Sequence, residues 1–278
     1  MRWIIENFTG DNGYEDLIAE VRKQGYDCDV LDITNHFDLK VNPKDECVVF
    51  QGSIQLAAKL KAELDTCYPV AWNTMDNYLC TKYYPKLGKY LFNDTYVMIP
   101  ACELERQKWD FYRWLGKEAM LFVRPDCGDK SFKGGLIDLQ DFDKEWERNY
   151  NYGMSRDEIV IVSSPKNMLG EWRFICTDEK EIIACSSYMF HGQRTYVPSA
   201  PQGATDLVKE ILEVGYYPDR VFTVDIVMDN DENFWLMELN SFSSAGTYGC
   251  KKEPIVRRVS EIAQDDWNSR LDSNKKID

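Results

Sequence analysis

Short apolar runs alternate with amphipathic stretches through residues 1 to about 75, and this alternation constrains the fold more than any other feature of the sequence. The apolar runs RWIIENF, YDCDVLDI, ECVVFQGS and YPVAWN have the length of buried strands, whereas GYEDLIAEVRKQG and IQLAAKLKAEL show the period of helices. Strands that are joined through helices pair in parallel, with the helices covering the sheet. This segment therefore predicts a small Rossmann-like α/β layer. It lacks the G-x-G-x-x-G motif of dinucleotide binding.

The remainder of the chain predicts a mixed arrangement, so that the fold class of the whole is α/β (α+β). Residues 76–100 read as a helix followed by the strand YVMIP, and residues 101–165 as helix, strand, loop, strand, helix and strand. The single helix predicted at the start of that second unit is ELERQKWDFYRWLGK. After residue 166, four longer runs predict antiparallel strands, and one helix interrupts them: GEWRFICTD, EIIACSSYMF, ATDLVKEILEVG (the helix), VFTVDIVMD and NFWLMELNSF.

The charge balance excludes some classes of partner. The 47 acidic and 33 basic side chains give a net charge of -14, which disfavours nucleic acid or an anionic membrane as the main partner.

Only His36 and His191 are available, and no C-x-x-C pair occurs, which argues against a histidine zinc site or a His-activated nucleophile. No apolar run approaches the roughly 20 residues that span a bilayer, and the start turns polar after five residues. We therefore expect a reduced, cytoplasmic protein without membrane or nucleic-acid partners.

The segment RPDCGDKSFKGG, residues 124–135, has the composition of a phosphate-binding loop. Its three glycines permit a tight loop whose backbone N–H groups approach an anion, while Arg124, Lys130 and Lys133 supply positive charge and Ser131 a hydroxyl. A solvated hairpin loop would have the same composition, so the loop alone leaves both interpretations open.

A second pattern is EWRF, residues 171–174. On a strand, Glu171 and Arg173 point to one face, whereas Trp172 and Phe174 point to the other. A Glu and an Arg in a cleft can orient a ribose hydroxyl and a phosphate or carboxylate. A cross-strand ion pair, which contributes little to stability, explains the pattern equally well.

The most informative stretch is VDIVMDNDENFWLMELNSF, residues 224–242. Glu238 and Asn240 lie two residues apart on one predicted strand, and Asp225 lies on the strand before it, so the three side chains can converge. Their neighbours are apolar, and an uncompensated acid in such surroundings is costly. Mg²⁺ prefers oxygen ligands, including one or two carboxylates. The stretch therefore favours a magnesium site, and the solvated acids of this hairpin belong to its turn, DNDEN.

Taken in this order behind an α/β layer, these motifs resemble the ATP-grasp superfamily, and more closely its R2K clade. The residues that carry the resemblance are FVRPDCGDKSFKGG, EWRF, ACSSYMF and VDIV…MELNSFSSAGTYG. The resemblance implies an ATP-grasp fold with an N-terminal Rossmann-like pre-ATP-grasp domain. The implied division is a pre-ATP-grasp domain at 1–88 and an ATP-grasp domain at 89–278, with a small lid subdomain at about 101–165 and a C-terminal catalytic subdomain at about 166–278.

The resemblance also implies a nucleotide site with ATP and Mg²⁺. Arg124 takes the place of the usual phosphate-binding lysine. Lys130, Ser131 and Phe132 belong to a loop that folds over the phosphates. The remaining assignments are Val162 and Ser163 at the adenine, Glu171 at the ribose or the adenine edge, Arg173 at the γ-phosphate or an acyl phosphate, and Asp225, Glu238 and Asn240 at Mg²⁺. A further phosphate-contacting lysine is expected among Lys82, Lys86 and Lys89, which the sequence does not separate.

The activity implied by the resemblance is that of an ATP-dependent carboxylate–amine ligase, which forms an amide through an acyl phosphate and releases ADP and phosphate. Arg173 and Lys130 are the implied catalytic residues, and Arg194, Tyr188, Ser244 and Tyr248 are candidates for the substrate pocket. Core packing is the alternative role for the tyrosines. A kinase on the same fold and a nucleotide-binding module without turnover remain alternative functions. The sequence does not identify the carboxylate, the amine or the oligomeric state.

Overall fold

The structure is a computed structural model, and it describes residues 1–6, 13–31, 46–64, 67–126, 128 and 130–274. His36, Cys127, Asp129 and the tail after residue 274 lie outside the described residues. The chain forms two compact units. The first contains Met1–Thr74, Gly170–Ile226 and Glu238–Asp278, and the second contains Met75–Leu169 and Val227–Met237. The predicted domain boundaries, at 88/89 and near 101 and 166, stay a prediction.

The N-terminal layer of the first unit is a four-stranded sheet in which every strand pair is parallel. Its elements are β1 (Arg2–Glu6), α1 (Tyr14–Lys23), β2 (Asp27–Leu31), β3 (Cys47–Gln51), α2 (Ile54–Glu63) and β4 (Tyr68–Val70). The strand order is β2-β1-β3-β4. Because β1 and β3 lie in the middle, their apolar side chains are almost fully buried. The parallel sheet predicted from the alternation of strands and helices is confirmed.

The second unit is built on an antiparallel sheet with the order β5-β8-β6-β7. Its elements are α3 (Cys80–Leu87), β5 (Tyr96–Pro100), α4 (Ala101–Arg106), α5 (Lys108–Leu115), β6 (Met120–Pro125), β7 (Gly135–Asp138), α6 (Phe142–Asn151) and β8 (Ile159–Ser163). Its core combines aliphatic and aromatic side chains, and Phe142 and Trp146 of α6 stack there with 4.9 Å between ring centroids. These two rings belong to the same buried cluster as Leu121, Val123 and Val160 of the sheet, which holds α6 against it.

The remaining sheet carries the strands after residue 166 in the order β10-β9-β11-β12. They are β9 (Gly170–Thr177), β10 (Ile182–Phe190), β11 (Val221–Met228) and β12 (Phe234–Ser241), with α7 (Gln202–Glu213) between β10 and β11. The β9–β10 pair is antiparallel, as predicted. The strand β9 is buried along its whole length, which places its polar residues in the interior.

Three helical segments differ from the sequence prediction. The helix predicted over ELERQKWDFYRWLGK is broken at Gln107, whose backbone leaves the helical region, giving α4 and α5. The helix predicted near residues 76–93 is reduced to α3 between two short 3₁₀ turns, Met75–Tyr78 and Gly88–Tyr90. The long C-terminal helix α8 (Lys252–Asn274) was not predicted, although Ile255, Val259 and Ile262 recur at helical spacing and are buried. Among the described helices, none is long and apolar enough to cross a membrane.

Candidate functional site

The candidate residues fall into two groups, one on each compact unit. Arg173, Asp225, Glu238 and Asn240 belong to the first unit, and the residues of the phosphate loop belong to the second. In the first group, Arg173 lies on β9, Asp225 on β11, and Glu238 and Asn240 on β12. Since these three strands are neighbours in one sheet, their side chains can meet on the same face.

The centre of the first group is a buried ion pair between Arg173 and Asp225. The guanidinium donates through Nε to Oδ1 of Asp225 at 2.8 Å and through Nη2 to Oδ2 at 2.6 Å. The side chain of Asp225 is 0% exposed and that of Arg173 is 7% exposed. Burial by itself lowers the pKa of Arg173, but the charge of Asp225 outweighs it and raises the pKa overall. Arg173 is therefore a permanent positive charge inside the protein.

Arg173 keeps donors for a further partner. A guanidinium has five N–H donors. Two of them bind Asp225, and a third, on Nη1, binds the carbonyl of Gly246 at 3.1 Å. The other two make no hydrogen bond to the described residues. The positive guanidinium with these two further N–H donors suits an anionic group such as a phosphate or a carboxylate.

Asn240 joins the two acids of the group. Its Nδ2 donates to Oδ2 of Asp225 at 3.0 Å and to Oε1 of Glu238 at 2.9 Å. The amide nitrogen therefore faces both carboxylates. Asn oxygen and nitrogen are assigned from the hydrogen-bond network, and rotation of the amide by half a turn exchanges the two atoms. In the rotated form Asn240 presents its oxygen beside both acids.

The donor set of this group fits a hard divalent cation. Two carboxylates and one amide oxygen are oxygen ligands of the kind that Mg²⁺ takes. The described residues contain no group of three or more His, Cys, Asp or Glu that could hold a metal, so the set relies on Asn240 as its third member. Arg173 supplies one positive charge against the two acids. One net negative charge remains, and it favours a cation at this point.

Glu171 lies two residues before Arg173 on β9 and is buried, with 7% exposure. The spacing places its carboxylate on the same face as the guanidinium. The cross-strand ion pair that the sequence left open is present in the structure. It joins Arg173 bidentately to Asp225 on the neighbouring strand β11, 52 positions along the chain, and spacing within one strand could not reveal this partner.

The predicted substrate residues differ in their surroundings. Tyr188, on β10, stacks on Tyr248 with 4.9 Å between ring centroids and 18° between planes. Ser244 ends the short 3₁₀ turn Phe242–Ser244 and is half-buried. Arg194 lies exposed in the loop after β10. The structure also stacks Tyr196 on Tyr248, with 5.9 Å between ring centroids, a contact that no sequence pattern indicates.

In the second group, Arg124 is held at the end of β6. It is 8% exposed and lies opposite Ile161 of β8. A Cβ on Gly134 would lie 2.8 Å from Cβ of Arg124, so the absence of a side chain there lets the loop return close to the arginine. Val162 and Ser163 end β8 and are fully buried. The hydroxyl of Ser163 finds no hydrogen-bond partner among the described residues.

The loop residues do not share one environment. Lys130 is exposed and has a φ of 56°, in the left-handed region, whereas Ser131 donates a hydrogen bond to Glu158. Phe132 is 7% exposed and packs edge-to-face on Trp146 in the core of the unit. The resemblance places Phe132 in the loop over the phosphates, and the structure shows that its ring also packs in the core of the unit. The three alternative lysines, Lys82, Lys86 and Lys89, are all exposed, so the structure does not select one of them.

The turn between β11 and β12 is more ordered than its sequence suggests. Asp229 accepts hydrogen bonds from the backbone N–H groups of Asp231 and Asn233, each at 2.9 Å, and from Nε1 of Trp235 at 2.7 Å. Burial on its own raises the pKa of Asp229, but these hydrogen bonds lower it overall. The view of Asp229 as a merely solvated acid is therefore wrong, because it holds the turn together.

A family comparison identifies the chain. The sequence model described as "ATP-grasp domain, R2K clade family 2" matches residues 105–257, which include both groups of candidate residues. The chain belongs to the R2K clade of the ATP-grasp family. No curated protein sequence matches it significantly.

Solved structures share the ATP-grasp fold with this R2K-clade chain. A crystal structure of D-cycloserine synthetase DcsG is similar with a TM-score of 0.62 at 12% identity, covering 95% of this chain and 100% of that one. The ATP-grasp ligase PsnB, complexed with a minimal precursor, gives 0.58 at 12% identity over 93% and 98%. D-alanine–D-alanine ligase from Bacillus anthracis, complexed with ATP, gives 0.53 at 14% identity over 88% and 86%. At these identities the likeness establishes the fold.

The ion pair predicts a large effect of Asp225→Asn on stability. This change removes the partner of a buried guanidinium, and we expect the free energy of unfolding to fall by about 3–5 kcal/mol. Urea denaturation in the presence of a chelator measures it without any contribution from metal. Asp206→Asn is the matched control, because Asp206 is exposed and pairs with Lys209 at the surface. Equal denaturation midpoints for the two variants would contradict the structural role of the pair.

Proposed function

We propose that this chain is an ATP-dependent carboxylate–amine ligase that forms an amide or peptide-like bond through an acyl phosphate and releases ADP and phosphate. The observation that carries the proposal is the convergence of the buried Arg173 and Asp225 with the half-buried Glu238 and Asn240 in a member of the ATP-grasp family. An interior arginine with two remaining donors beside two acids suits a phosphoryl group that arrives with a divalent cation.

In this proposal the second group of residues holds the nucleotide. The backbone at Val162 and Ser163 meets the adenine. The buried hydroxyl of Ser163, which has no hydrogen-bond partner among the described residues, supports a polar ligand there, since such a group is costly when it stays unpaired. Arg124 binds the α- and β-phosphates, and its position at the end of a strand holds it in place. Lys130, Ser131 and Phe132 complete the phosphate loop, although Phe132 contributes mainly through packing on Trp146.

Asp225, Glu238 and Asn240 are proposed to hold Mg²⁺, with the Asn240 amide turned so that its oxygen faces the ion. When bound, Mg²⁺ would neutralise negative charge on the phosphates of ATP. Glu171, on the same face of β9 as Arg173, is proposed to orient the ribose or the adenine edge through its carboxylate.

The chemistry proceeds in two displacements. An oxygen of the substrate carboxylate attacks the γ-phosphorus of ATP, the bond to the β-phosphate oxygen breaks, and ADP leaves. The nitrogen of the amine then attacks the acyl carbon, phosphate leaves, and the nitrogen loses a proton. Arg173 and Lys130 stabilise the charge on the transferring phosphoryl group and on the acyl phosphate. No nucleophilic side chain is required, because the catalytic task is positioning and charge neutralisation.

Arg194, Tyr188, Ser244 and Tyr248 are proposed to line the substrate pocket. A solved structure of PsnB contains a precursor peptide together with AMPPNP, and D-cycloserine synthetase is named for a small-molecule product. A peptide and a small metabolite are therefore both suitable classes of substrate for a chain of this fold. The acceptor pocket belongs to the C-terminal part of the proposed ATP-grasp domain.

The experiment that tests the proposal measures ADP, free phosphate and products with Mg²⁺-ATP and a panel of carboxylates and amines. A ligase forms ADP and free phosphate only when both substrates are present, and the product is an amide. ADP accompanied by a stable phosphorylated product would identify a kinase instead. Tight ATP binding without ADP formation across the panel would favour a nucleotide-binding module.

Glu238→Gln tests the metal site. The substitution keeps the shape and removes the charge, so we expect the fold and weak ATP binding to persist while turnover falls by at least about a hundredfold, on the order of 2.7 kcal/mol. Asp231→Asn is the control, because Asp231 is exposed in the turn before β12, whereas Asp229 holds that turn. Turnover of Glu238→Gln at the level of Asp231→Asn would remove the metal assignment.

The phosphate assignment predicts unequal effects of two substitutions. Arg124 is buried at the end of a strand and Lys133 is exposed in the loop, so Arg124→Ala should weaken binding of Mg²⁺-ATP by roughly 1.5–3 kcal/mol and Lys133→Ala by less. Calorimetric titration of both variants measures the difference. Equal affinities would show that Arg124 makes no fixed phosphate contact.

A further inference from the structure

Tyr248 adopts a backbone conformation that tyrosine rarely takes. Its φ is 39°, in the left-handed region, which is unfavourable for a residue with a Cβ. Such conformations persist only where the surrounding structure holds them, and they are concentrated at functional sites. The conformation of Tyr248 therefore calls for a physical reason.

The surroundings of Tyr248 hold both its backbone and its ring. Its carbonyl accepts a hydrogen bond from Nζ of Lys252 at 2.5 Å. The next residue, Gly249, approaches Tyr196 so closely that a Cβ there would lie 2.5 Å from the Tyr196 carbonyl oxygen. The ring stacks on Tyr188 at 18° and on Tyr196 at 14° between planes. The ring of Tyr248 is the middle member of this three-ring stack.

The stack lies against the guanidinium of Arg173. The Cζ atom of Arg173 is 5.0 Å from the ring centroid of Tyr248 and 5.7 Å from that of Tyr188, within the range of a cation–π interaction. Two residues before Tyr248, the carbonyl of Gly246 accepts a hydrogen bond from Nη1 of the same arginine. The loop that carries Tyr248 thus contacts Arg173 through a ring and through a backbone carbonyl.

Asp225 alone does not fix the plane of the guanidinium completely. The two parallel hydrogen bonds restrain the distance between the guanidinium and the carboxylate and the angle between them within their common plane. The guanidinium can still tilt about the line that joins the two groups. A ring beside the guanidinium opposes this tilting because the cation–π attraction depends on where the cation lies relative to the ring. The Gly246 carbonyl adds a restraint through Nη1, so the carbonyl and the ring together determine where the two remaining N–H groups point.

We propose that Tyr248 is a positioning residue for Arg173: together with the Gly246 carbonyl, its ring fixes the plane of the guanidinium and so aims the two remaining N–H donors at the phosphoryl group that is transferred. This inference rests on the proposed function for the identity of the phosphoryl group. It assigns to Tyr248 a role through Arg173, beyond that of a wall of the substrate pocket, and it explains why an unfavourable backbone conformation is retained there.

The test observes the arginine directly and then through turnover. In protein labelled with ¹⁵N-arginine, the Nε–H signal of Arg173 is assigned by its loss in Arg173→Lys, and its hydrogen exchange is measured. Tyr248→Leu should speed this exchange at least about tenfold and lower kcat at least about tenfold, with the KM for ATP nearly unchanged, since a misaimed donor weakens the transition state more than ATP binding. Tyr248→Phe keeps the ring and should restore both values.

Tyr152→Leu is the control, because Tyr152 is an exposed tyrosine of the other compact unit and takes no part in the stack. It should leave the exchange of Arg173 and kcat close to wild type. If Tyr248→Leu fails to fold, Tyr188→Leu takes its place and should change both readouts in the same direction. Unchanged exchange in the folded variant overturns the positioning role, whatever the activity.

The two readouts separate this inference from the proposed function. If no pair of substrates supports turnover, the ligase assignment fails, and the exchange measurement still decides whether the ring orders Arg173. If turnover is observed but Tyr248→Leu matches wild type in kcat, the ligase assignment stands and the positioning role is overturned.

Discussion

The buried ion pair between Arg173 and Asp225 is the interaction on which the rest of the site depends. It joins β9 to β11 with two hydrogen bonds in a part of the sheet where exposure is almost zero. Breaking such a pair by removal of one partner leaves a charge without compensation in the interior, which is strongly destabilising. The pair also gives Asp225 two duties, because it holds the arginine and belongs to the proposed metal set. The carboxylate of Asp225 thus joins two strands of the sheet, balances the charge of Arg173 and belongs to the proposed metal site.

Around this pair, acidic side chains outnumber basic ones. Arg173 offsets one of the two acids that Asn240 joins, and Glu171 adds a further carboxylate on the face of β9. An interior with more acids than bases is stable only when hydrogen bonds or a cation compensate. Asn240 supplies two hydrogen bonds to the acids, and a divalent cation that arrives with ATP would supply the remaining charge. The side-chain amide of Asn240 would then rotate by half a turn, so that its oxygen rather than its nitrogen faces the cation.

Sequence periodicity predicted most elements, since burial on one face imposes a period of two or 3.6 on a chain. The parallel N-terminal sheet and the strands that carry Arg173, Asp225 and Glu238 follow from this alone. The pairing of Arg173 with Asp225, the stack at Tyr248 and the core position of Phe132 did not follow, because they join residues distant along the chain. The break at Gln107 was missed because local backbone geometry interrupts an otherwise continuous helical pattern.

The central claim, that the chain activates a carboxylate by phosphorylation, is tested most directly by following an oxygen atom. A carboxylate that supports ADP formation is labelled with ¹⁸O and incubated with Mg²⁺-ATP and the amine, and the mass of the released phosphate is measured. Attack of the carboxylate on the γ-phosphorus, followed by displacement at carbon, leaves one labelled oxygen in the phosphate. Phosphate that carries the label is the predicted result, and unlabelled phosphate formed together with the amide would contradict it.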